Sequence, residues 1–82
     1  MAYFVYIIGS SKPRKRTYVG WTKDISKRIS KHNSSKGAKF TRGSNWILLY
    51  QEELNSKTDA MKRENELKKD KKLRSDLRKR LN

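Results

Sequence analysis

Tyr3-Phe4-Val5-Tyr6-Ile7-Ile8 is aromatic and β-branched without a polar break, the pattern of a strand buried on both faces. The stretch from Gly9 to Arg16 is turn-rich and cationic, and Thr17-Tyr18-Val19-Gly20-Trp21 predicts a second strand pairing back on the first as a hairpin. Thr22 reads as an N-cap, with Asp24 in the first turn of a helix reaching about His32. Ile25, Ile29 and His32 recur at helical spacing and share a face, with Arg28 beside them. Residues 33–45 read as a loop. Trp46-Ile47-Leu48-Leu49-Tyr50 predicts a third strand that closes with Gln51, Glu52 and Glu53. Asn55 or Ser56 caps a second helix whose inner face runs Ala60, Met61, Glu64 and Leu67. Leu73, Leu77 and Leu81 follow at i, i+4 and i+8, giving a third amphipathic helix. The order ββαβαα predicts an α+β domain: a three-stranded, mostly antiparallel sheet packed with two to three helices.

Length narrows this picture to one domain, residues 1–82, with room for one compact core. Without Cys there is no disulfide scaffold, zinc finger or thiol chemistry. With one His, a metal site would rest on oxygen ligands, which favours Mg²⁺-like ions over zinc. No apolar run approaches the roughly 20 residues of a membrane span, and Ala2–Ile8 lacks a basic leader and a cleavage site. The expectation is a cytoplasmic or nucleoid-associated protein with no membrane partner.

Charge adds a partner. The chain has 22 Lys+Arg against 8 Asp+Glu, a formal net charge of +14. Asp24 is the sole acid in residues 12–42, which are rich in Lys and Arg, whereas residues 57–82 mix both signs as an exposed helical surface does. An uncompensated cationic surface points to a polyanion, nucleic acid first.

Five side chains could act on a phosphodiester. Tyr6 and Tyr18 sit in neighbouring hairpin strands, and their hydroxyls share a site if both face one side. Arg28 and His32 stand at i and i+4 on one helix. Glu64 is a carboxylate on the inner stripe of its helix, where it needs a cation or a metal. Each alone has an ordinary structural explanation. Together they offer hydroxyls and an imidazole for a proton, a guanidinium for phosphate charge and a carboxylate for a divalent ion.

On these residues the sequence resembles the GIY-YIG nuclease domain superfamily, in particular its small stand-alone URI-type members. The first motif matches as Val5-Tyr6-Ile7 and the second as Tyr18-Val19-Gly20, ten residues apart. The helix motif matches over residues 27–33, the following loop over 36–43, and the Glu-bearing helix from Ala60 to Lys68. The resemblance covers about residues 3–72, leaving 73–82 as a C-terminal basic amphipathic helix. Val5 stands where the first motif carries its glycine, and neither Asn65 nor Asn82 aligns with the Asn that the family has after the Glu helix.

The resemblance implies an endonuclease that hydrolyses DNA phosphodiester bonds with one divalent ion, Mg²⁺ or Mn²⁺, in DNA repair or recombination. It implies Tyr6, Tyr18, Arg28, His32 and Glu64 as the catalytic set, with Glu64 as the metal ligand. Either tyrosine would position or deprotonate water, its ionised form favoured by nearby cations; the pairing of Tyr6 with His32 is preferred, with Tyr18 on phosphate. Lys12, Arg14, Lys15, Arg16, Lys36, Lys39 and Arg42 would hold a duplex or branched DNA backbone. The alternative is a non-catalytic nucleic-acid-binding module on the same scaffold, and a third reading is an assembly whose partner subunit gives specificity. The oligomeric state stays open.

Overall fold

A computed structural model describes residues 2–11, 14–34 and 45–81. Its elements are β1 (Tyr3–Ser10), β2 (Arg16–Thr22), α1 (Ile25–Asn33), β3 (Ile47–Leu54), α2 (Lys57–Lys69) and α3 (Lys71–Arg78). The order is ββαβαα and the fold is α+β, as the pattern predicts. The sheet order is β2-β1-β3, and both pairings are antiparallel.

The unbroken apolar run in β1 follows from its central place. Val5 and Ile7 point to one face, where they pack with Val19, Ala60, Leu67 and Leu77 under α2 and α3. Tyr6 and Ile8 point to the other face, where they meet Trp46, Tyr18, Ile25 and Ile29. A strand covered on both faces loses the alternation that a half-exposed strand keeps. β3 lies at the sheet edge, and its first residues Ile47 and Leu48 are exposed. A bulge opposite Ile7/Ile8 skips Leu49, whose side chain fills the space over Gly9 together with Leu81.

Three local expectations are corrected. Asp24, not Thr22, caps α1: its carboxylate accepts the Lys27 N–H at 3.1 Å. The Thr22 hydroxyl instead accepts the Asp24 N–H at 3.1 Å and shapes the turn before the helix. Met61 is 46% exposed, because the inner stripe of α2 passes through Ala60, Glu64 and Leu67 and a neighbour one residue on is rotated by about 100°. Ser56 caps α2, and Asp70 ends α2 and caps α3 through the Leu73 N–H at 3.0 Å. Leu81 lies past α3 yet is buried. Among the described residues no helix is long and apolar enough to cross a membrane.

Candidate active site

The antiparallel register decides which side chains meet. Tyr6 stands opposite Gly20, and Ile8 stands opposite Tyr18. Tyr6 and Tyr18 therefore lie two positions apart along the ladder on one face, the face that α1 covers. His32 in the last turn of α1 points into this layer and is 2% exposed. The Tyr6 hydroxyl lies 2.8 Å from His32 Nε2 in a buried hydrogen bond. The Tyr18 ring meets the same imidazole edge-on, with centroids 5.0 Å apart. Trp46 closes the cluster beside Tyr18, and the Arg16 guanidinium lies 5.1 Å over the Trp46 ring.

Gly20 makes this packing possible. A Cβ at that position would sit 2.6 Å from the Tyr6 hydroxyl, so the ring of Tyr6 occupies the space that any side chain on residue 20 would need.

The electrostatics of the pair set its protonation. Burial pushes the Tyr6 phenol well above its ordinary value, and the Tyr18 hydroxyl adds to this. Arg28 acts in the opposite direction, and Glu64 again raises it. The His32 imidazole is held below its ordinary value by burial first and then by Arg28. The sequence-based expectation that cations favour ionised tyrosine is thus overturned for Tyr6: Arg28 is close enough to act, but burial outweighs it. At neutral pH both partners are neutral, and in the tautomer with the ring proton on Nδ1 the Tyr6 O–H donates and Nε2 accepts.

Arg28 is exposed one turn before His32 on α1, and its charge acts on both Tyr6 and His32. Glu64 comes from α2, its side chain 20% exposed and its carboxylate 3.8 Å from Lys68 Nζ. Of the five residues singled out from sequence, Tyr6, Tyr18 and His32 are in direct contact, and Arg28 and Glu64 act on the Tyr6 hydroxyl through their charge. Of the basic residues, Arg14 and Lys15 are exposed and Arg16 is drawn into the cluster wall. Lys12, Lys36, Lys39 and Arg42 lie outside the described residues.

Glu64 fits a hard divalent cation: it is a partly buried carboxylate, near enough to Tyr6 for its charge to act on the phenol, and its contact with Lys68 is a loose 3.8 Å. No group of three or more His, Cys, Asp or Glu side chains converges among the described residues. Mg²⁺ binds in this manner elsewhere, through one or two carboxylates with phosphate and water oxygens completing the shell.

Two interactions were missed in the sequence. Asn33 grips the backbone of Trp46 at both ends, its Nδ2 donating to Trp46 O at 3.1 Å and its Oδ1 accepting Trp46 N–H at 2.5 Å. Its place at the end of an amphipathic helix was the available signal, since Asn commonly bonds backbone there. The second is a clamp between Glu52 and Arg63, with Arg63 Nε and Nη2 each 2.9 Å from a carboxylate oxygen. Alternation along β3 places Glu52 on the face toward α2, which was the legible hint.

Comparison with known proteins adds the family. A GIY-YIG catalytic domain model matches residues 2–82. UPF0213 proteins from the Mu3 and Mu50 strains of Staphylococcus aureus are each 42% identical over 68 residues, covering 82% of this chain and 80% of theirs. The solution NMR structure of a UPF0213 protein from Bacillus halodurans is 40% identical, with a TM-score of 0.49, over 83% of this chain and 71% of that one. A match over residues 2–82 together with relatives of this identity settles the assignment: the chain belongs to the GIY-YIG catalytic domain family, a family of nucleases.

Proposed function

We propose that the protein is a divalent-metal-dependent endonuclease that hydrolyses DNA phosphodiester bonds, acting in DNA repair or recombination. The observation that carries this reading is the buried hydrogen bond of 2.8 Å between Tyr6 and His32, within a GIY-YIG catalytic domain. A neutral phenol bonded to a neutral imidazole can move a proton without forming a free phenolate. As a water beside the Tyr6 hydroxyl attacks phosphorus and the bond from phosphorus to the leaving oxygen breaks, the water's proton passes to the phenol oxygen and the phenol's own proton passes to His32 Nε2. The depressed basicity of His32 keeps its imidazole neutral at neutral pH, the form that can take up a proton.

Arg28 neutralises the charge that grows on the phosphate oxygens, and Tyr18 offers them a hydroxyl. Glu64 would hold the divalent ion, Mg²⁺ or Mn²⁺, which would supply Lewis-acid stabilisation of the phosphate and of the leaving oxygen. Arg14, Lys15 and Arg16, with Lys12, Lys36, Lys39 and Arg42, would contact backbone phosphates of duplex or branched DNA. Such contacts position the strand without reading its sequence, so a specificity-giving protein subunit and association with the nucleoid belong to the same reading.

Incubation of the protein with plain duplex, flaps, junctions and single strands in Mg²⁺, Mn²⁺ or a chelator tests it. Cleavage that needs the metal, and that falls by roughly 10²–10³-fold in Arg28→Ala, is expected. Undiminished cleavage by Glu64→Ala removes the metal role. Salt-sensitive binding without cleavage in any divalent ion identifies a binding module instead.

A further inference from the structure

Two hollows lie along the exposed side of α1. The first, about 320 Å³, is walled by Trp21, Lys23, Asp24, Lys27, Arg28 and Lys31 where β2 passes into α1. The second, about 490 Å³, is bordered by Lys27, Ser30, Lys31 and Ser34. Lys27 and Lys31 border both, so the two hollows are neighbours along this side of the helix, and Arg28 lines the first of them. Its one acid, Asp24, is committed to the helix cap through the Lys27 N–H. Among the described residues Lys27 and Lys31 form no ion pair, and both are exposed.

We propose that this face of α1 is a track for the phosphodiester backbone on one side of the cleaved bond, with Lys27 and Lys31 each holding one phosphate beyond the one at Arg28. The proposal rests on the endonuclease reading and adds a surface that the basic loops do not include. Lys27 and Lys31 are four residues apart on one helix face, so their ammonium groups are offset by about 6 Å along the axis. Successive phosphates of a strand are spaced similarly. Lysine suits the task because its flexible, point-like charge meets phosphate without a required orientation. The Ser30 hydroxyl at the same wall is a further donor to phosphate.

The test is a salt titration of oligonucleotide binding in chelator, with steady-state cleavage measured in parallel. Lys27→Gln, Lys31→Gln and the double variant are compared with Lys72→Gln, an exposed lysine of α3. Each α1 substitution is expected to flatten the slope of log K against log salt by about 0.9 on duplex or about 0.7 on single strands. Between 50 and 200 mM salt that removes about 3.5-fold of the salt-induced weakening per lysine on duplex. In cleavage the loss appears in KM, whereas Arg28→Ala loses kcat. A double variant with the wild-type slope, or with the slope of Lys72→Gln, overturns the track while active wild-type protein leaves the endonuclease reading standing. A flattened slope in a protein that never cleaves keeps the track and removes the endonuclease. A wild-type protein that neither binds nor cuts DNA overturns both.

Discussion

Gly20 faces Tyr6 across the β1–β2 ladder so closely that a methyl group there would lie 2.6 Å from the phenol oxygen. The obstacle is the end of a side chain, but that side chain is 2% exposed and bonded to His32, so it has little room to yield. Gly20→Ala is therefore expected to cost about 1–3 kcal/mol and to break the Tyr6–His32 bond. Thermal unfolding reads the first effect, and the His32 ring resonances in a ¹H–¹⁵N spectrum read the second. An unchanged Nε2 resonance with an unchanged Tm would show that the strand absorbs the methyl group elsewhere.

The same buried pair sets the response to pH. The folded protein keeps His32 neutral, whereas the unfolded chain takes up a proton on it below about pH 6.5. Below that pH the unfolded state binds more protons, so stability falls as pH falls. Tyr6 behaves oppositely: the folded protein keeps the phenol, whereas the unfolded chain loses its proton from about pH 10 upward. Stability then falls as pH rises, and Tyr50, also raised, adds to that alkaline limb. A Tm profile should fall off on both sides of a plateau between these limits. His32→Gln removes the limb that begins near pH 6.5, and Tyr6→Phe reduces the alkaline one. An NMR titration that places His32 above its ordinary midpoint would contradict the acid limb.

Elements were legible where local pattern and tertiary environment agree. Two-sided burial of β1 follows from Tyr3–Ile8, and the inner face of α1 follows from Ile25, Ile29 and His32. The five chemically suited residues were also legible as types at helical or strand positions. The protonation of Tyr6 was not, because nearby cations can be counted in a sequence whereas burial exists only after three strands and a helix close over the ring. The Met61 error has a similar origin: apolar character drew it inward, while the helix turns that position to solvent. Partnerships such as Asn33 with Trp46 and Glu52 with Arg63 span 13 and 11 residues and depend on how elements dock.

Asn33 joins the two described ends that flank residues 35–44, because its amide pairs with the Trp46 backbone as a neighbouring strand would. Trp46 is in turn buried against Tyr6, Ile8 and Tyr18. Asn33→Ala is expected to cost about 1–2 kcal/mol for two lost hydrogen bonds and to raise the exposure of Trp46. Asn33→Asp keeps the acceptor and loses the donor, so it should fall between. In a Trp21→Phe background the remaining tryptophan emission reports on Trp46 alone. Emission and quenching unaltered in Asn33→Ala would show that packing alone holds that ring.

Arg63 joins α2 to the edge strand. Its guanidinium grips Glu52 side-on at 2.9–3.1 Å, its Nη1 lies 3.2 Å from Glu66, and the Tyr50 hydroxyl donates to the same Glu52 carboxylate. The Arg63 bond is the main cause holding Glu52 below the usual carboxylate range. Its stabilisation is therefore present above about pH 4.5 and is lost as pH falls toward the folded-state value. Both side chains are partly exposed, 34% and 23%, so solvent screening limits the effect. Arg63→Ala should cost about 1–2 kcal/mol, which in a domain of this size lowers Tm by roughly 4–16 °C. Because residue 63 adjoins Glu64 on α2, loosening the clamp also loosens the helix that carries Glu64. The exchange Glu52→Arg with Arg63→Glu should recover part of the stability that either change loses alone. If the double variant is no more stable than the sum of the single losses predicts, the pair is two independent surface charges and α2 is held by Ala60 and Leu67 alone.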